Sequence, residues 1–318
     1  MIWVLGLVLA QSWVPQESGT TASLRGVSAI DAKVVWASGT KGTYLRTIDG
    51  GATWKAMTVP GATDLDFRAI HAFNEKTAIL LSIGPGEKSR VYRVTNDQAR
   101  LVFTNPDPKG FFDGLAFWDA SHGILIGDPV DGRFVVFTTS DGGESWKRQK
   151  TPAALANEGA YAASNTCLIV RGAREVFFGT GAGRVFHSTD GGETWSVAKT
   201  PMEGGASAGI FSLAFNGRTG IAVGGDYNKP AESAGNIEVT EDGGKTWTAP
   251  ASGPGGYRSA VALFEKMWIA VGTSGSDVST DDGKSWKQFD SGNYNAVSFA
   301  NGAGWAVGPK GAVAKFKQ

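Results

Sequence analysis

One short phrase recurs five times along this chain and constrains its fold more than any other feature. The phrase has eight positions and reads S/T-x-D-G/D-G-x-S/T-W, where x is any residue. A phrase repeated every 40–50 residues or so is typical of propellers and solenoids, in which each copy belongs to one structural unit. Its aspartates are Asp49, Asp141, Asp190, Asp242 and Asp281, and its tryptophans are Trp54, Trp146, Trp195, Trp247 and Trp286.

The spacing of the copies predicts seven units. The first interval is about twice the usual length, and residues 94–97 align there with residues 239–242 as a degenerate copy without glycines, with Val102 at the tryptophan position. A last unit begins at Tyr294 and ends after its third strand, whereas residues 11–16 resemble the end of a copy and the strand that follows it. Strands from both termini would then close the ring and remove its exposed sheet edges.

Each copy has the chemistry of a tight turn between two antiparallel strands. The aspartate accepts hydrogen bonds from backbone N–H groups, the glycines supply positive φ, and the tryptophan covers the turn. Four short strands per unit is the pattern of a propeller blade. We therefore predict an all-β, seven-bladed β-propeller over residues 11–318, in which the repeated carboxylates and tryptophans are structural and not catalytic.

The composition excludes several classes of partner and cofactor. The 30 basic and 30 acidic residues cancel, so nothing favours nucleic acid or an anionic membrane as the partner. The three histidines (His71, His122 and His187) lie far apart in different units, and Cys167 sits in an apolar run typical of an inert buried thiol. We expect a monomer with no metal, no cofactor and no integral membrane span.

The N-terminal segment indicates export. Residues 1–10 form an apolar run too short to span a bilayer, and the run ends in Val-Leu-Ala before Gln11, which suits a signal peptidase. No basic residue precedes the run, so a wrongly chosen start codon or a buried strand remains an alternative. We expect residues 1–10 to be a signal-peptide remnant and the mature protein to be periplasmic or secreted.

The candidate site lies where the innermost strands begin. One register aligns Arg25, Arg68, Asp113, Glu158 with Tyr161, Phe211, Arg258 with Ser259, and Asn295. Such positions crowd towards one mouth of the central channel of a propeller. Its three arginines would form a cationic fork for a carboxylate or an acidic loop, with Tyr257 and Asn295 beside it. The competing interpretation pairs each arginine with Asp66, Asp113 or Glu158 and gives it a structural role.

Two loops exceed the length that the repeat requires. Residues 154–158 enter the fourth unit, and residues 226–233 extend the fifth unit between its second and third strands. Extra length on a closed scaffold is a frequent location of binding residues. We therefore include Asp226 and Lys229 among the candidate ligand contacts, with a tolerated surface insertion as the alternative.

The repeated phrase resembles the Asp-box, or bacterial neuraminidase repeat, in the form found in the photosystem II stability and assembly factor family of seven-bladed propellers. The Trp-Ala strands at Trp36 and Trp305 and the aromatic-Arg pairs Phe67-Arg68 and Tyr257-Arg258 extend the resemblance over nearly the whole chain. The resemblance implies a non-catalytic protein that binds assembly intermediates through an arginine-bearing face. By this resemblance Arg25, Arg68 and Arg258 are the binding residues.

Sialidases share the Asp-box and supply an enzymatic alternative. A resemblance to them implies an arginine fork for a substrate carboxylate, Tyr161 activated by Glu158 as the nucleophile, and Asp113 as the acid/base. The chain departs from that pattern because Phe67-Arg68 is not followed by Ile-Pro, seven units replace six, and Glu158 and Tyr161 share one segment. We therefore favour an exported binding or assembly factor for a protein or acidic ligand, with glycoside hydrolysis as the alternative.

Overall fold

The computed structural model describes residues 11–318, which form seven small antiparallel sheets. The predicted seven-bladed all-β propeller is confirmed. We number the blades one to seven in the order of the units in the sequence. The predicted signal segment, residues 1–10, lies outside the described residues. Within residues 11–318, no helix has the length and apolarity needed to cross a membrane.

The inner strands form the wall of the central channel. Each inner strand lies against the inner strands of both neighbouring blades, so the ring is closed. From blade one to blade seven the inner strands are Leu24–Ala29, Asp66–Asn74, Phe112–Phe117, Leu168–Arg171, Ala208–Asn216, Ala260–Phe264 and Ala296–Ala300.

The second and third strands follow outwards in sequence order within each blade. The second strands are Val35–Gly39, Thr77–Ile83, Gly123–Val130, Glu175–Gly179, Thr219–Asp226, Met267–Gly272 and Ala303–Val307. The third strands are Thr43–Thr47, Arg90–Thr95, Arg133–Thr139, Arg184–Ser188, Ile237–Thr240, Gly275–Ser279 and Val313–Lys317. Short 3₁₀ turns at Gly86–Lys88 and Pro309–Gly311 precede the third strands of blades two and seven.

The fourth strands differ most between blades. Blades one to four and blade six use Lys55–Thr58, Gln98–Thr104, Lys147–Arg148, Ser196–Lys199 and Lys287–Asp290. In blade five a single antiparallel bridge between Val239 and Thr248 stands in place of this strand.

Blade seven is built from both ends of the described chain. Its fourth strand is Ser12–Gln16, which pairs antiparallel with Val313–Lys317 and sets Trp13 opposite Phe316. The two rings lie 5.2 Å apart, edge to face, and the indole N–H of Trp13 donates to Ser276 Oγ of blade six at 3.0 Å. This strand leaves no open edge on the third strand of blade seven.

The Asp-boxes form the hairpins between third and fourth strands. Around Asp190, the carboxylate accepts hydrogen bonds from Ser188 Oγ at 2.7 Å and from the backbone N–H of Thr194 at 2.9 Å. Burial alone would raise the pKa of Asp190, but these hydrogen bonds outweigh it and lower the pKa to about 2. The carboxylates of the other four boxes accept the corresponding bonds.

The degenerate copy in blade two folds differently from the boxes. Its turn consists of Asn96 and Asp97, whose φ values are 50° and 65°, and the fourth strand begins at once with Gln98. Val102 therefore lies inside that strand and not at the position of a box tryptophan, so the alignment placed it wrongly. The Asp97 carboxylate instead forms ion pairs with Arg46 and Lys55 of blade one, at 2.9 and 2.7 Å.

The hydrophobic core is divided among the junctions between blades. Each pair of neighbouring blades packs around its own buried apolar cluster. Trp36, Trp268 and Trp305 are fully buried in three of these junctions. The apolar side chains therefore pack between the blades, whereas the side chains at the start of the inner strands line the channel.

Candidate functional site

A cavity of about 600 Å³ opens at the end of the channel where the inner strands begin. We call it the channel mouth. Every blade contributes to its lining, which includes Arg25, Arg68, Asp113, Asp128, Tyr161, Phe211, Tyr227, Tyr257, Ser259, Thr273 and Asn295. Most of these residues belong to the register predicted from the sequence.

β-Bulges near the start of four inner strands place one side chain each in the mouth. In blades one, two, three and five the pairing skips one residue near the start of the inner strand, and these skipped residues are Arg25, Arg68, Asp113 and Phe211. A bulge re-aims the extra side chain relative to the regular alternation of the strand. The same local device therefore supplies the mouth with two guanidinium groups, a carboxyl group and a ring.

Arg25 is the most available cation of the mouth. Its Nη1 reaches Asn295 Oδ1 at 3.4 Å, whereas its buried Nε has no hydrogen-bond partner in residues 11–318. Within the same residues, no carboxylate lies at ion-pair distance from Arg25. Burial, and then the charge of Arg68, lower the pKa of Arg25 to about 10, so it remains protonated at neutral pH.

Arg68 is partly satisfied by its own blade and by blade four. Its Nε donates to Asp66 Oδ2 at 2.8 Å, and its Nη1 donates to the carbonyl oxygen of Ala162 at 3.1 Å. The side chain retains 28% of its exposure. Arg68 therefore lies in the mouth with its charge offset by Asp66, as the competing interpretation of the sequence proposed for this arginine.

The prediction that three arginines form a fork in the mouth is wrong for Arg258. The Arg258 side chain is completely buried and forms an ion pair with Asp277 of the same blade, with Nε at 2.5 Å from Oδ2. Its Nη1 donates to the carbonyl oxygen of Tyr257 and to Ser274 Oγ. The guanidinium thus points into blade six and is absent from the lining of the mouth, because a carboxylate on the neighbouring strand neutralises it.

Two carboxyl groups of blade three lie in the mouth. Asp113 and Asp128 directly follow the paired residues Phe112 and Gly127 and line the same cavity, and Asp128 Oδ1 accepts a hydrogen bond from the backbone N–H of Ala160 at 3.0 Å. Asp113 is 1% exposed, and its Oδ2 has no hydrogen-bond partner in the described part of the chain. Burial raises the pKa of Asp113 well above its usual range and raises the pKa of Asp128 to about 6.

An arc of aromatic rings occupies the side of the mouth formed by blades four, five and six. Tyr161 stacks on Phe211 with centroids 3.9 Å apart and planes within 5°. Tyr257 stands edge-on to Phe211 at 4.9 Å. Tyr227 lies 6.1 Å from Phe211 and is 48% exposed, which makes it an accessible apolar ring at the rim. The mouth therefore presents guanidinium groups, carboxyl groups and rings on separate arcs.

Of the other predicted ligand contacts, Asn295 lies in the mouth, whereas Asp226 and Lys229 do not. Asn295 lies in the mouth and joins blades seven and one, since its Nδ2 donates to the Leu24 carbonyl oxygen at 2.8 Å. Asp226 and Lys229 lie on the long loop of blade five, where Asp226 accepts the Asn228 N–H and Lys229 pairs with Glu232. These two side chains fold back on their own loop and do not line the mouth, which receives Tyr227 from this loop instead.

The sialidase-like assignment of Glu158 and Tyr161 does not agree with the geometry. The inner strand of blade four starts at Leu168, so both residues precede it and the predicted register is wrong for this blade. The Glu158 carboxylate pairs with Arg184 and accepts from Thr180 Oγ1 at 2.6 Å.

The Tyr161 hydroxyl is also engaged elsewhere. It lies 2.9 and 3.0 Å from the backbone carbonyl oxygens of Gly205 and Ala208. Burial raises the pKa of Tyr161, so neither an activating carboxylate nor a lowered pKa prepares this hydroxyl as a nucleophile. Asp113, the third member of the assignment, lies in the mouth with Asp128 as described above. Across residues 11–318, no group of three His, Cys, Asp or Glu side chains could hold a metal ion.

Sequence reasoning missed two residues of the mouth that share a position. Asp128 and Thr273 each directly follow the glycine near the end of a second strand, Gly127 and Gly272. That glycine lies opposite the start of the inner strand, so the next residue reaches the same end of the channel. The position after this glycine in the repeat could therefore have predicted that both residues line the mouth.

The central part of the chain matches a known family. Residues 106–262 match the family model described as photosynthesis system II assembly factor YCF48. The chain is a YCF48-like propeller. The family resemblance inferred from the boxes is thereby confirmed. No curated protein matches the sequence.

Solved structures extend the similarity of this YCF48-like propeller to nearly its full length. A structure of YCF48 bound to D1 peptide matches with a TM-score of 0.68 and 16% identity, over 98% of this chain and 97% of that chain. YCF48 from Cyanidioschyzon merolae matches at 0.65 and 18%, over 97% and 99%. Virginiamycin B lyase from Staphylococcus aureus matches at 0.71 and 12%, over 97% and 99%. At these identities the likeness concerns the fold, which binding proteins and enzymes share.

Proposed function

We propose that this YCF48-like propeller is a non-catalytic binding protein that holds a carboxylate-bearing segment of another protein in its channel mouth. The observation that carries the proposal is Arg25, a half-buried arginine without an ion-pair partner among residues 11–318, at the wall of a cavity of about 600 Å³. An incoming carboxylate would accept charge-assisted hydrogen bonds from the guanidinium of Arg25.

The rest of the mouth suits a peptide more than a small ion. The aromatic arc formed by Tyr161, Phe211, Tyr227 and Tyr257 offers apolar contact area beside the guanidinium groups. Rigid rings next to an arginine are the combination that contributes most of the binding energy in protein interfaces. The YCF48 structure that contains a D1 peptide supports this reading, because it concerns the same fold and a peptide ligand.

A direct test is fluorescence anisotropy with labelled peptides. The panel contains the D1 peptide, a synthetic peptide rich in Glu and aromatic residues, and a version of the latter with every Glu changed to Gln. We expect the acidic peptide to bind and the Gln version to bind at least about tenfold more weakly, since each lost charge-assisted hydrogen bond costs roughly 1.5–3 kcal/mol. The D1 peptide shows whether the ligand of YCF48 is also a ligand here.

Two variants locate the binding surface. Arg25→Ala is expected to weaken the acidic peptide about tenfold or more. Arg174→Ala is the matched control, because Arg174 is an exposed arginine of blade four that pairs with Glu193 away from the mouth. Equal binding by the wild type and Arg25→Ala, or the absence of any preference for the acidic over the Gln peptide, would contradict the proposal.

The proposal includes export and a monomeric mature chain. Export rests on the apolar residues 1–10 and the Val-Leu-Ala sequence before Gln11. Mass spectrometry of the protein purified from its native host would find Gln11 as the first residue, and light scattering would give the mass of one chain. A mature protein that still begins at Met1, or a stable dimer, would contradict these two parts.

A further inference from the structure

The net charge of the channel mouth depends on the Asp113–Asp128 pair. Arg68 and Asp66 offset each other at 2.8 Å. Arg25 adds one positive charge, and Arg258 adds none because Asp277 neutralises it inside blade six. The carboxyl pair adds between zero and two negative charges, so protonation decides whether the mouth attracts or repels a carboxylate.

The geometry of the pair favours retention of protons. Both carboxyl groups line one cavity, they directly follow the paired residues Phe112 and Gly127, and Asp113 is buried. Two carboxylates that share a buried site cannot both ionise at the pH of free aspartate. Asp128 Oδ1 is held by the Ala160 N–H, and a Cβ on Gly159 would come within 2.6 Å of that oxygen. The entry segment of blade four thus closes directly on the pair.

Few other groups act on these carboxyls. Arg68 of blade two favours the ionised form of Asp113, and Tyr161 and Cys167 of blade four face the carboxyls as neutral groups whose pKa values are raised by burial. No histidine belongs to the lining of the mouth within residues 11–318. These two carboxyl groups are therefore the titrating groups of this surface.

We propose that the channel mouth takes up a proton when it binds a carboxylate-bearing peptide, and that the Asp113–Asp128 pair holds this proton. This inference rests on the function proposed above. An ionised pair places negative charge beside the ligand carboxylate, whereas a protonated pair leaves the charge of Arg25 uncompensated and offers an O–H donor. The affinity for acidic peptides then rises as the pH falls through the titration of the pair.

The titration lies in an accessible pH range. The pKa of Asp128 is raised to about 6, and that of Asp113 is also raised. A single charge about 4 Å away changes binding by about 1 kcal/mol, or roughly three- to tenfold, when water screens it fully. We expect the dissociation constant of the acidic peptide to rise by about that factor between pH 5.5 and pH 8.

The experiment measures this constant by anisotropy at about pH 5.5, 6.5, 7.25 and 8 and fixed ionic strength. The peptide carboxylates are already ionised throughout this range. The double variant Asp113→Asn/Asp128→Asn keeps the shapes of both side chains and removes the titration, so we expect it to bind at pH 8 as tightly as the wild type binds at pH 5.5. Carbon-13 spectra of the aspartate carboxyls in the free wild type report the titration of the pair without any ligand.

Glu238→Gln is the matched control for the pH dependence. Glu238 is a buried carboxyl of blade five outside the mouth, and burial raises its pKa to about 7, so it titrates in the same range. We expect this variant to retain the pH dependence of the wild type. A pH-independent constant for the wild type, or an unchanged slope in the double variant, would overturn the inference and leave the binding function intact. No binding at any pH would overturn both.

Discussion

Replacement of Arg258 by alanine distinguishes a structural arginine from a binding arginine. Arg258 is fully buried, and its partner Asp277 is 1% exposed. The Asp277 carboxylate keeps one hydrogen bond from the backbone N–H of Gly255 after the change, at 3.1 Å. The variant therefore leaves a buried carboxylate without its counter-ion between the strands of blade six.

The expected cost follows from this geometry. Removal of one partner of a buried ion pair costs about 3–5 kcal/mol, because the remaining charge is not solvated. The unfolding entropy of a chain of 318 residues is about 0.7 kcal/mol/K near its melting temperature. The predicted loss is therefore about 4–7 °C in the melting temperature.

Differential scanning calorimetry at neutral pH measures this shift. The control is Arg25→Ala, which removes one long hydrogen bond to Asn295 at 3.4 Å and should cost less than about 1 kcal/mol. The double variant Arg258→Ala/Asp277→Ala removes the orphaned charge and should recover part of the loss. A melting temperature of Arg258→Ala within about 1 °C of the wild type, or an equal loss in Arg25→Ala, would refute the reasoning.

Two further predictions concern stability. Asp190→Ala removes the acceptor of four hydrogen bonds in one box and should cost about 1–2 kcal/mol in urea unfolding. Asp97→Ala, which removes only partly exposed ion pairs, should cost less than about 1 kcal/mol, and a reversed order would contradict the structural role of the box. The melting temperature should also peak near pH 4, as a pH series of melting curves would show. The lowered pKa of about 2 for Asp141 and Asp190 gives stability above pH 4 that is lost as the pH falls towards 2, and the raised pKa values of Asp128 and Glu238 give stability that is lost as the pH rises from 4 to 7. A steady rise of the melting temperature from pH 4 to pH 7 would contradict these assignments.

The architecture was predictable because it depends on local chemistry that recurs. The turn chemistry of Asp, Gly-Gly and Trp marks the end of each third strand, and the count of turns gives the number of blades. The degenerate copy at Asp97 was found by spacing. Its two-residue turn was not foreseen, because Asn96 and Asp97 reach positive φ without glycine and shorten the hairpin.

The site was only partly predictable because it depends on pairings between strands. The register identified Arg25, Arg68 and Asp113 correctly as neighbours in the mouth. It could not show that Arg258 turns away from the mouth, since this depends on Asp277 on another strand, 19 residues later. The register failed in blade four because an insertion before Leu168 makes the inner strand begin later in the sequence than the repeat predicts.

Photo-crosslinking of the acidic peptide tests the central claim most directly. A benzoylphenylalanine in place of Tyr227 lies at the rim of the mouth, and one in place of Val197 lies on the outer strand of blade four. The two native side chains have similar exposure, 48% and 44%. We predict that the peptide crosslinks at position 227, that excess unlabelled peptide suppresses the adduct, and that position 197 gives none. Specific crosslinking at position 197, or none at position 227 with a bound peptide, would contradict binding at the channel mouth.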